Sequence, residues 1–155
     1  MKITEYLKKR GIKFNTFTHP PVYTCEEAER YNKEIRGVRS KNLFIKDRKS
    51  KRFYLVIIPA NKKLELDRLE GILQDKLKFA NNDDLKNILG LESGAVSPFG
   101  LINDKEAKVD VAIDKEIWNS DFVSFHPNIN TETLELSKEG FHAYISSLKN
   151  KTKII

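Results

Sequence analysis

At the start of the chain, the hydrophobic positions first repeat with a helical period, and the residues that come next have the composition of a strand. Ile3, Tyr6 and Leu7 stand at i, i+3 and i+4, which predicts a short amphipathic helix. Gly11 follows the basic last turn of this helix and acts as a stop signal. Residues 13–18 then favour a strand.

Two neighbouring apolar runs predict a β-hairpin. Residues 41–47 and 52–59 both have strand character, and the chain between them is a short charged turn. The second run is apolar on both faces, so we expect a central strand that is covered on both sides. Upstream of the hairpin, Thr24 and Glu27 have the spacing of a capping box, which predicts a helix from Cys25 to about Asn32.

The C-terminal part of the chain alternates short helices with strands. The pattern predicts three helices: one at 67–74, one from a cap at Asn82 to Gly90, and one after a cap at Ser137. It also predicts strands at 109–114, 122–127 and 131–136, with a turn at 115–121. Mixed hairpins and interspersed helices without a repeat or linker predict one α/β domain over residues 1–155. Its sheet should be mixed and curved, with helices around it.

A loop at residues 94–100 interrupts the regular pattern. Its two glycines and one proline argue against a helix or a regular strand across it. Gly94 has no Cβ, so a ligand can approach the backbone closely there, and Pro98 stiffens the turn. We expect a tight turn that presents N–H groups to a ligand. A purely structural turn is the alternative that composition alone favours.

Composition narrows the class of partner. The net charge of +6 favours a polyanionic partner, and the basic residues are spread along the chain as contacts to a folded RNA would be. Solvated surface lysines would give the same charge. No run approaches the ~20 apolar residues of a membrane helix, so we expect no membrane association. The absence of a signal-peptide pattern and the single cysteine predict a cytoplasmic protein.

The titratable residues predict neither a metal site nor a cofactor. The three histidines are far apart in sequence and no Cys/His set has ligand spacing. Cys25 has no evident base, and Ser97 belongs to no visible Ser-His-Asp pattern. If the protein is a hydrolase, direct attack by water is the mechanism that remains.

Four small clusters occur in a fixed order along the chain: His19-Pro20-Pro21, Lys41-Asn42-Leu43-Phe44, the 94–100 loop, and His126-Pro127-Asn128 with Asn130-Thr131. This ordered set resembles the YbaK/ProX family of aminoacyl-tRNA deacylases over nearly the whole chain. It is most similar to the branch that clears alanine mischarged onto proline tRNA. The resemblance implies the partly barrel-like fold of the synthetase-associated editing domain. It also implies hydrolysis of the ester between an amino acid and the terminal ribose of a tRNA.

The resemblance also implies roles for individual residues. Lys41 would act as a point charge on the 3′-terminal phosphate or the ester region. Asn42 could hold a ribose hydroxyl or the substrate amine. The loop at Gly94 could offer amides to the oxyanion. His126 could position the terminal adenosine or the amine, or relay a proton.

Discrimination of alanine from proline could rest on pocket size, because the substrate to be cleaved is the smaller one. Phe44 and Val22 or Tyr23 are the expected walls. Further substrate contacts are expected from His19, at the rim, and from Ala95, Val96, Ser97 and Pro98. The candidate partners are tRNA and, beyond it, prolyl-tRNA synthetase or other translation factors.

Three other interpretations are compatible with the sequence. The first is a deacylase for cysteine on proline tRNA, or for another small amino acid. The second is a catalytically silent tRNA-binding domain. The third is a generic basic protein that binds nucleic acid.

Overall fold

The computed structural model describes residues 1–20, 35–49, 51–129 and 131–155. The helices in these ranges are α1 (Ile3–Lys9), α2 (Leu66–Leu73), α3 (Asn82–Leu89), α4 (Lys115–Trp118) and α5 (Lys138–Ser147). The strands are β1 (Asn15–Thr18), β2 (Ser40–Asp47), β3 (Phe53–Pro59), β4 (Leu77–Phe79), β5 (Val109–Ile113), β6 (Phe122–Phe125), β7 (Glu132–Ser137) and β8 (Thr152–Ile154). The elements alternate as the hydrophobic pattern predicts, and the α/β class is confirmed.

The larger sheet is mixed and has five strands in the order β4-β2-β3-β5-β8. β2 is antiparallel to β3 and β4, whereas β5 is parallel to β3 and β8. The expected hairpin is β2–β3, and β3 is central with every residue buried, as its apolar sequence predicts. One face of this sheet contacts the larger hydrophobic core, and the other face packs on α2 in a second cluster.

The smaller sheet is antiparallel and has three strands in the order β1-β7-β6. The strands therefore divide between two sheets and form no closed barrel. Gly37, with φ of +89°, lies at the junction, where an added Cβ would stand 1.9 Å from the carbonyl oxygen of Phe122. Only glycine permits this close approach between the chain entering β2 and the first residue of β6. The larger core fills the space between the two sheets.

The helix ends follow the sequence signals closely. Ser137 caps α5 by accepting a hydrogen bond from the Gly140 N–H, as predicted. Gly90 ends α3 in the left-handed conformation with φ of 68°. The cap of α3 is Asn81 and not Asn82, because Asn81 and Asp84 form the reciprocal capping box.

Four local features differ from the sequence predictions. β4 and β8 were not predicted, because each has three residues and an exposed, lysine-containing sequence. The expected turn at 115–121 contains α4, which the Asp114 side chain caps. The loop expected to be free of helix contains two short 3₁₀ helices, Ser93–Ala95 and Pro98–Asn103, because their tight turns tolerate glycine and begin readily with proline.

The helix expected from Cys25 lies outside the described residues. Among the helices that the structure does describe, none combines the length and the apolar character needed to cross a membrane.

Candidate active site

The register of β2 places its first residues on two different faces. Asn42 pairs with Ile57 and Phe44 pairs with Leu55, so both lie on the face toward the larger core. Lys41 pairs with Ile58 and lies on the face toward α2. Because side chains alternate along a strand, the lysine and the asparagine of the motif point to opposite sides of the sheet.

Lys41 stands where the edge of β2 is not paired with another described strand. β4 pairs with β2 only from Ile45 to Asp47, four or more residues further on. No hydrogen bond or ion pair joins the side chain of Lys41 to another residue in the described ranges. Its long side chain can lean around this edge. The expected convergence of the Lys41 ammonium with the Gly94 amides stays a prediction.

The polar groups at the start of β2 are not satisfied by the surrounding protein. Asn42 Oδ1 and Ser40 Oγ are buried and have no hydrogen-bond partner among the described residues. Leaving such an atom unpaired costs about 1–3 kcal/mol. This deficit marks Asn42 as a position where a donor from a ligand would be stabilised. Phe44, by contrast, is buried and stacks on Phe53 with the ring centroids 5.6 Å apart.

His19 and His126 lie together on the smaller sheet, with ring centroids 5.8 Å apart. His19 Nδ1 contacts the carbonyl of Pro20 at 2.9 Å, and its Nε2 contacts Thr133 Oγ1 at 2.8 Å. A carbonyl oxygen can only accept, so Nδ1 donates to Pro20, and Nε2 shares a second hydrogen bond with the Thr133 hydroxyl. His19 is buried and not a rim residue as expected, because its N–H donates to the carbonyl of Thr131 and its ring contacts the hydroxyl of Thr133.

His126 has a fixed orientation and a free ring nitrogen. Its Nδ1 donates to the carbonyl of Glu132 at 2.9 Å. Burial lowers the pKa of His126, the hydrogen bond to Glu132 opposes this, and the proximity of His19 lowers the pKa further. The ring is therefore neutral at neutral pH, and its Nε2 is available as an acceptor.

Asn128 is a further candidate for the site, to which the sequence alone gives no role. It has φ of 68° in the turn that follows β6, and its Oδ1 is buried without a partner. Asparagine is among the residues that tolerate this left-handed conformation. Its position two residues after His126, within the matched cluster, was the available signal. The neighbouring Asn130 lies outside the described residues.

In the loop at Gly94, the backbone groups are more available to a ligand than the side chains are. The side chains of Ala95, Ser97 and Pro98 are buried, whereas Gly94 and Val96 are partly exposed. Ser97 Oγ accepts from the Phe99 N–H at 3.0 Å, so this hydroxyl caps a 3₁₀ helix inside the protein. Within the described part of the chain, the N–H groups of Gly94 and Ser97 donate to no acceptor.

Packing places this loop against the last residue of β6, which precedes His126. Phe99 contacts Phe125 edge to face, with centroids 5.7 Å apart, and Phe125 directly precedes His126. The hydroxyl of Tyr144 in α5 donates to the carbonyl of Pro98 at 2.7 Å, and this hydrogen bond anchors the loop to α5. The loop and the end of β6 therefore form one rigid unit at the larger core.

Two expected pocket walls, Val22 and Tyr23, lie outside the described residues, as does Cys25. In the described ranges, no three His, Cys, Asp or Glu side chains are grouped so that they could hold a metal ion. The arrangement that is described consists of acceptors, namely Asn42, Asn128 and His126, together with the backbone N–H groups of the loop.

Comparisons with known proteins identify similar chains. The family model described as the aminoacyl-tRNA editing domain matches residues 19–143. The prolyl-tRNA editing protein ProX of Acetoanaerobium sticklandii is 39% identical over 150 residues, which cover 96% of this chain and 92% of that protein. Prolyl-tRNA synthetase associated domain-containing protein 1 of Mus musculus is 28% identical, covering 94% of this chain and 89% of that protein.

Solved structures share the fold. A crystal structure of hypothetical protein APE2540 superimposes with a TM-score of 0.78 at 18% identity, covering 98% of this chain and 97% of that one. A protein provisionally described as a trans-editing enzyme for prolyl tRNA synthetase superimposes with a TM-score of 0.75 at 15% identity, covering 99% of this chain and 92% of that one.

Proposed function

The chain belongs to the aminoacyl-tRNA editing domain family, and we propose that its substrate is alanine mischarged onto proline tRNA. Members of this family are aminoacyl-tRNA deacylases. The reaction adds water across the ester, which releases the free amino acid and a tRNA with an intact terminal ribose. Residues 1–155 would act as one editing domain in trans, in the cytoplasm, where the charged tRNA is used. Prolyl-tRNA synthetase is a candidate partner.

The observation that carries this proposal is a set of hydrogen-bond acceptors without donors. Asn42 Oδ1 and Asn128 Oδ1 are buried and unpaired, and His126 Nε2 is left as an acceptor by its neighbour Glu132. An α-ammonium group carries three donors and a positive charge, and ribose hydroxyls carry donors too. These acceptors therefore complement the aminoacyl-ribose end of a charged tRNA.

The loop at Gly94 would stabilise the transition state. Attack by water turns the ester carbonyl into an oxyanion, and the N–H groups of Gly94 and Ser97 are the loop amides without an acceptor in the described structure. Removal of one such donor costs about 10²–10³-fold in rate in well-studied cases. The hydrogen bond from Tyr144 to Pro98 keeps these amides in place before the substrate arrives.

Lys41 would act on the RNA side of the ester. From the open edge of β2, its ammonium could reach the 3′-terminal phosphate while Asn42 contacts the acyl side. The ribose hydroxyl next to the ester would assist the water. A tRNA that ends in 2′-deoxyadenosine tests this step, because hydrolysis at an undiminished rate would exclude a role for that hydroxyl.

Selection of alanine would be steric. Phe44, which is buried, would close the inner end of the region beside Asn42, and Val22 or Tyr23 would supply the remaining wall. A closed pocket can reject the larger proline more strongly than the ~1–3 kcal/mol that one methylene contributes to binding.

The decisive experiment compares Ala-tRNA(Pro), Cys-tRNA(Pro) and Pro-tRNA(Pro) as substrates of the purified protein. We expect fast release of alanine, slow release of cysteine and no release of proline. Lys41→Ala should reduce the alanine rate, whereas Lys9→Ala, an exposed lysine of α1, should not. Faster release of cysteine would reassign the substrate. Hydrolysis that Lys41→Ala leaves unchanged would remove Lys41 from the site, and tRNA binding without any hydrolysis would leave only the silent binding domain.

A further inference from the structure

An exposed aromatic side chain stands on the outer strand of the larger sheet. Phe79 of β4 is 58% exposed, although Leu77 on the same strand and the same face is buried in the cluster beneath α2. Among the described residues, no aromatic ring stacks on Phe79. A single exposed ring needs no explanation by itself, so its surroundings decide whether it has a role.

A groove with basic walls begins beside this strand. The β2–β3 turn, α2 and the residue before β4 border a cavity of about 970 Å³. Its cationic side chains come from Arg48, Lys49, Lys51, Arg52 and Lys76. The backbone N–H of Arg48 donates to the carbonyl of Lys76 at 2.9 Å, so the turn and the start of β4 are held together.

The cations of the groove are available to a ligand. No ion pair in the described ranges engages Arg48, Lys49, Lys51 or Lys76, and all four are exposed. Four carboxylates line the same cavity, so its basic side chains outnumber the acidic ones by one; Asp67 is exposed, and the other three carboxylates serve the fold. Asp47 accepts from two amides of the turn, Glu70 from the Leu77 N–H, and Asp75 from the Tyr54 hydroxyl.

The groove, Phe79 and Lys41 share one side of the sheet. Phe79 pairs with Ile45, so it lies on the α2 face, as Lys41 does. From Lys41 to Ile45 the strand advances four residues, or roughly 13 Å at about 3.3 Å per residue. That span is about four stacked nucleotides at ~3.4 Å each. A nucleic-acid strand could thus extend from the groove, across Phe79, to Lys41.

We propose that Phe79 and the basic groove form the docking surface for the acceptor end of the tRNA, with Phe79 stacking on an unpaired base and the groove contacting phosphates. This inference rests on the proposed function, because the nucleic-acid strand is taken to run towards the proposed site and to end at Lys41. Base stacking on an exposed ring combined with cations along the backbone is the general mode of single-stranded nucleic-acid binding. An acidic protein would use the cations but would gain nothing specific from the ring.

The test measures the affinity for uncharged tRNA separately from hydrolysis. Phe79→Leu keeps an apolar side chain but removes the ring, and we expect about 5- to 100-fold weaker binding, with recovery in Phe79→Trp. The double variant Arg48→Ala/Lys49→Ala should weaken binding and lower the slope of log K against log salt by about 0.7–0.9 per lost phosphate contact. Lys78→Ala is the matched control, because Lys78 is exposed and adjacent to Phe79 but pairs with Lys46 on the opposite face.

Hydrolysis then links the surface to the site. The ratio of kcat/KM on alanyl-tRNA to that on alanyl-adenosine should fall in Phe79→Leu and in the double variant, through KM, and stay constant in Lys78→Ala. An unchanged affinity in Phe79→Leu overturns the stacking role, and equal losses in Lys78→Ala overturn the groove. If the unaltered protein cleaves neither substrate, the proposed function fails, and the affinity measurements still decide the docking surface.

Discussion

The central strands of the two sheets differ in what they bury. The larger sheet is apolar on both faces along β3, with Leu55, Val56 and Ile57 fully inaccessible to solvent. The smaller sheet buries Thr133 and Glu135 of β7 among its apolar residues. The apolar side chains of β3 need only packing, whereas the buried polar groups of β7 are costly unless each finds a partner.

The buried polar groups of the smaller sheet form hydrogen bonds within the protein, and this distinguishes them from the unpaired polar groups of the candidate site. Glu135 accepts from the Arg36 N–H, the Arg36 guanidinium and Asn15 Nδ2. Asn42 and Asn128 have no such partners. Satisfied groups stabilise the fold, whereas the unsatisfied ones are the groups that a ligand would complete.

The largest expected effect is on the larger sheet. Leu55→Ala removes a fully buried side chain from β3 and should lower the free energy of unfolding by about 2–5 kcal/mol. Urea denaturation measures it. Thr152→Ala on the exposed edge strand β8 is the control and should stay within about 0.5 kcal/mol. Similar losses at both positions would contradict the assignment of stability to the central strand.

The second effect separates activity from stability at the unsatisfied groups. Asn42→Ala removes an acceptor that has no partner in the fold, so the urea midpoint should stay equal or rise. Deacylation of Ala-tRNA(Pro) should fall about 100-fold, which corresponds to about 2.7 kcal/mol of transition-state stabilisation. A destabilised variant that retains its rate would show that Asn42 serves the fold.

The third effect is a pH dependence of stability that comes from the smaller sheet. Burial would raise the pKa of Glu135, but the hydrogen bonds from Arg36 and Asn15 outweigh it and lower the pKa below its ordinary value of 4.5. The stabilisation is therefore complete above the unfolded-state pKa and is lost as pH falls through the folded-state pKa.

Glu135→Gln should cost about 1–3 kcal/mol at pH 7 and less at pH 3, because pH 3 lies below the unfolded-state pKa and the stabilisation is lost as the pH falls towards the folded-state pKa. Unfolding curves at the two pH values measure this convergence. A constant difference would show that the charge of Glu135 contributes nothing to the fold.

The smallest effect is on the pH profile of hydrolysis. Because the pKa of His126 is lowered, its neutral form should persist to pH values below the ordinary 6.5. The rate should be flat from pH 8 to 6.5 and fall only below it, and His126→Gln should remove that fall. A decline that begins above pH 6.5 would require another titrating group.

The sequence predicts long elements better than short ones in this protein. β3 and α5 have enough apolar positions to define a face, whereas β4 and β8 exist because longer strands offer them an edge. The burial of Ser97 could not be inferred from a loop composition that is typical of surface turns.

The site was predictable only in part. The resemblance selected Asn42 and His126, whose environments in the structure suit a ligand. The contact between His19 and His126 joins residues that are distant in sequence and depends on the pairing of β1 with β7. The opposite orientation of Lys41 and Asn42 follows from strand alternation, which a motif of consecutive residues does not show by itself.

That alternation restricts how the length of β2 can change. Deletion of one residue between Asn42 and Ile45 would turn Lys41 toward the larger core and Asn42 toward α2, since the strand repeats every two residues. A lysine forced among apolar side chains would have to lose its charge or disrupt the sheet. Insertions and deletions in this strand are therefore compatible with the fold only in pairs, so loop grafts and chimeras should keep the parity of this segment.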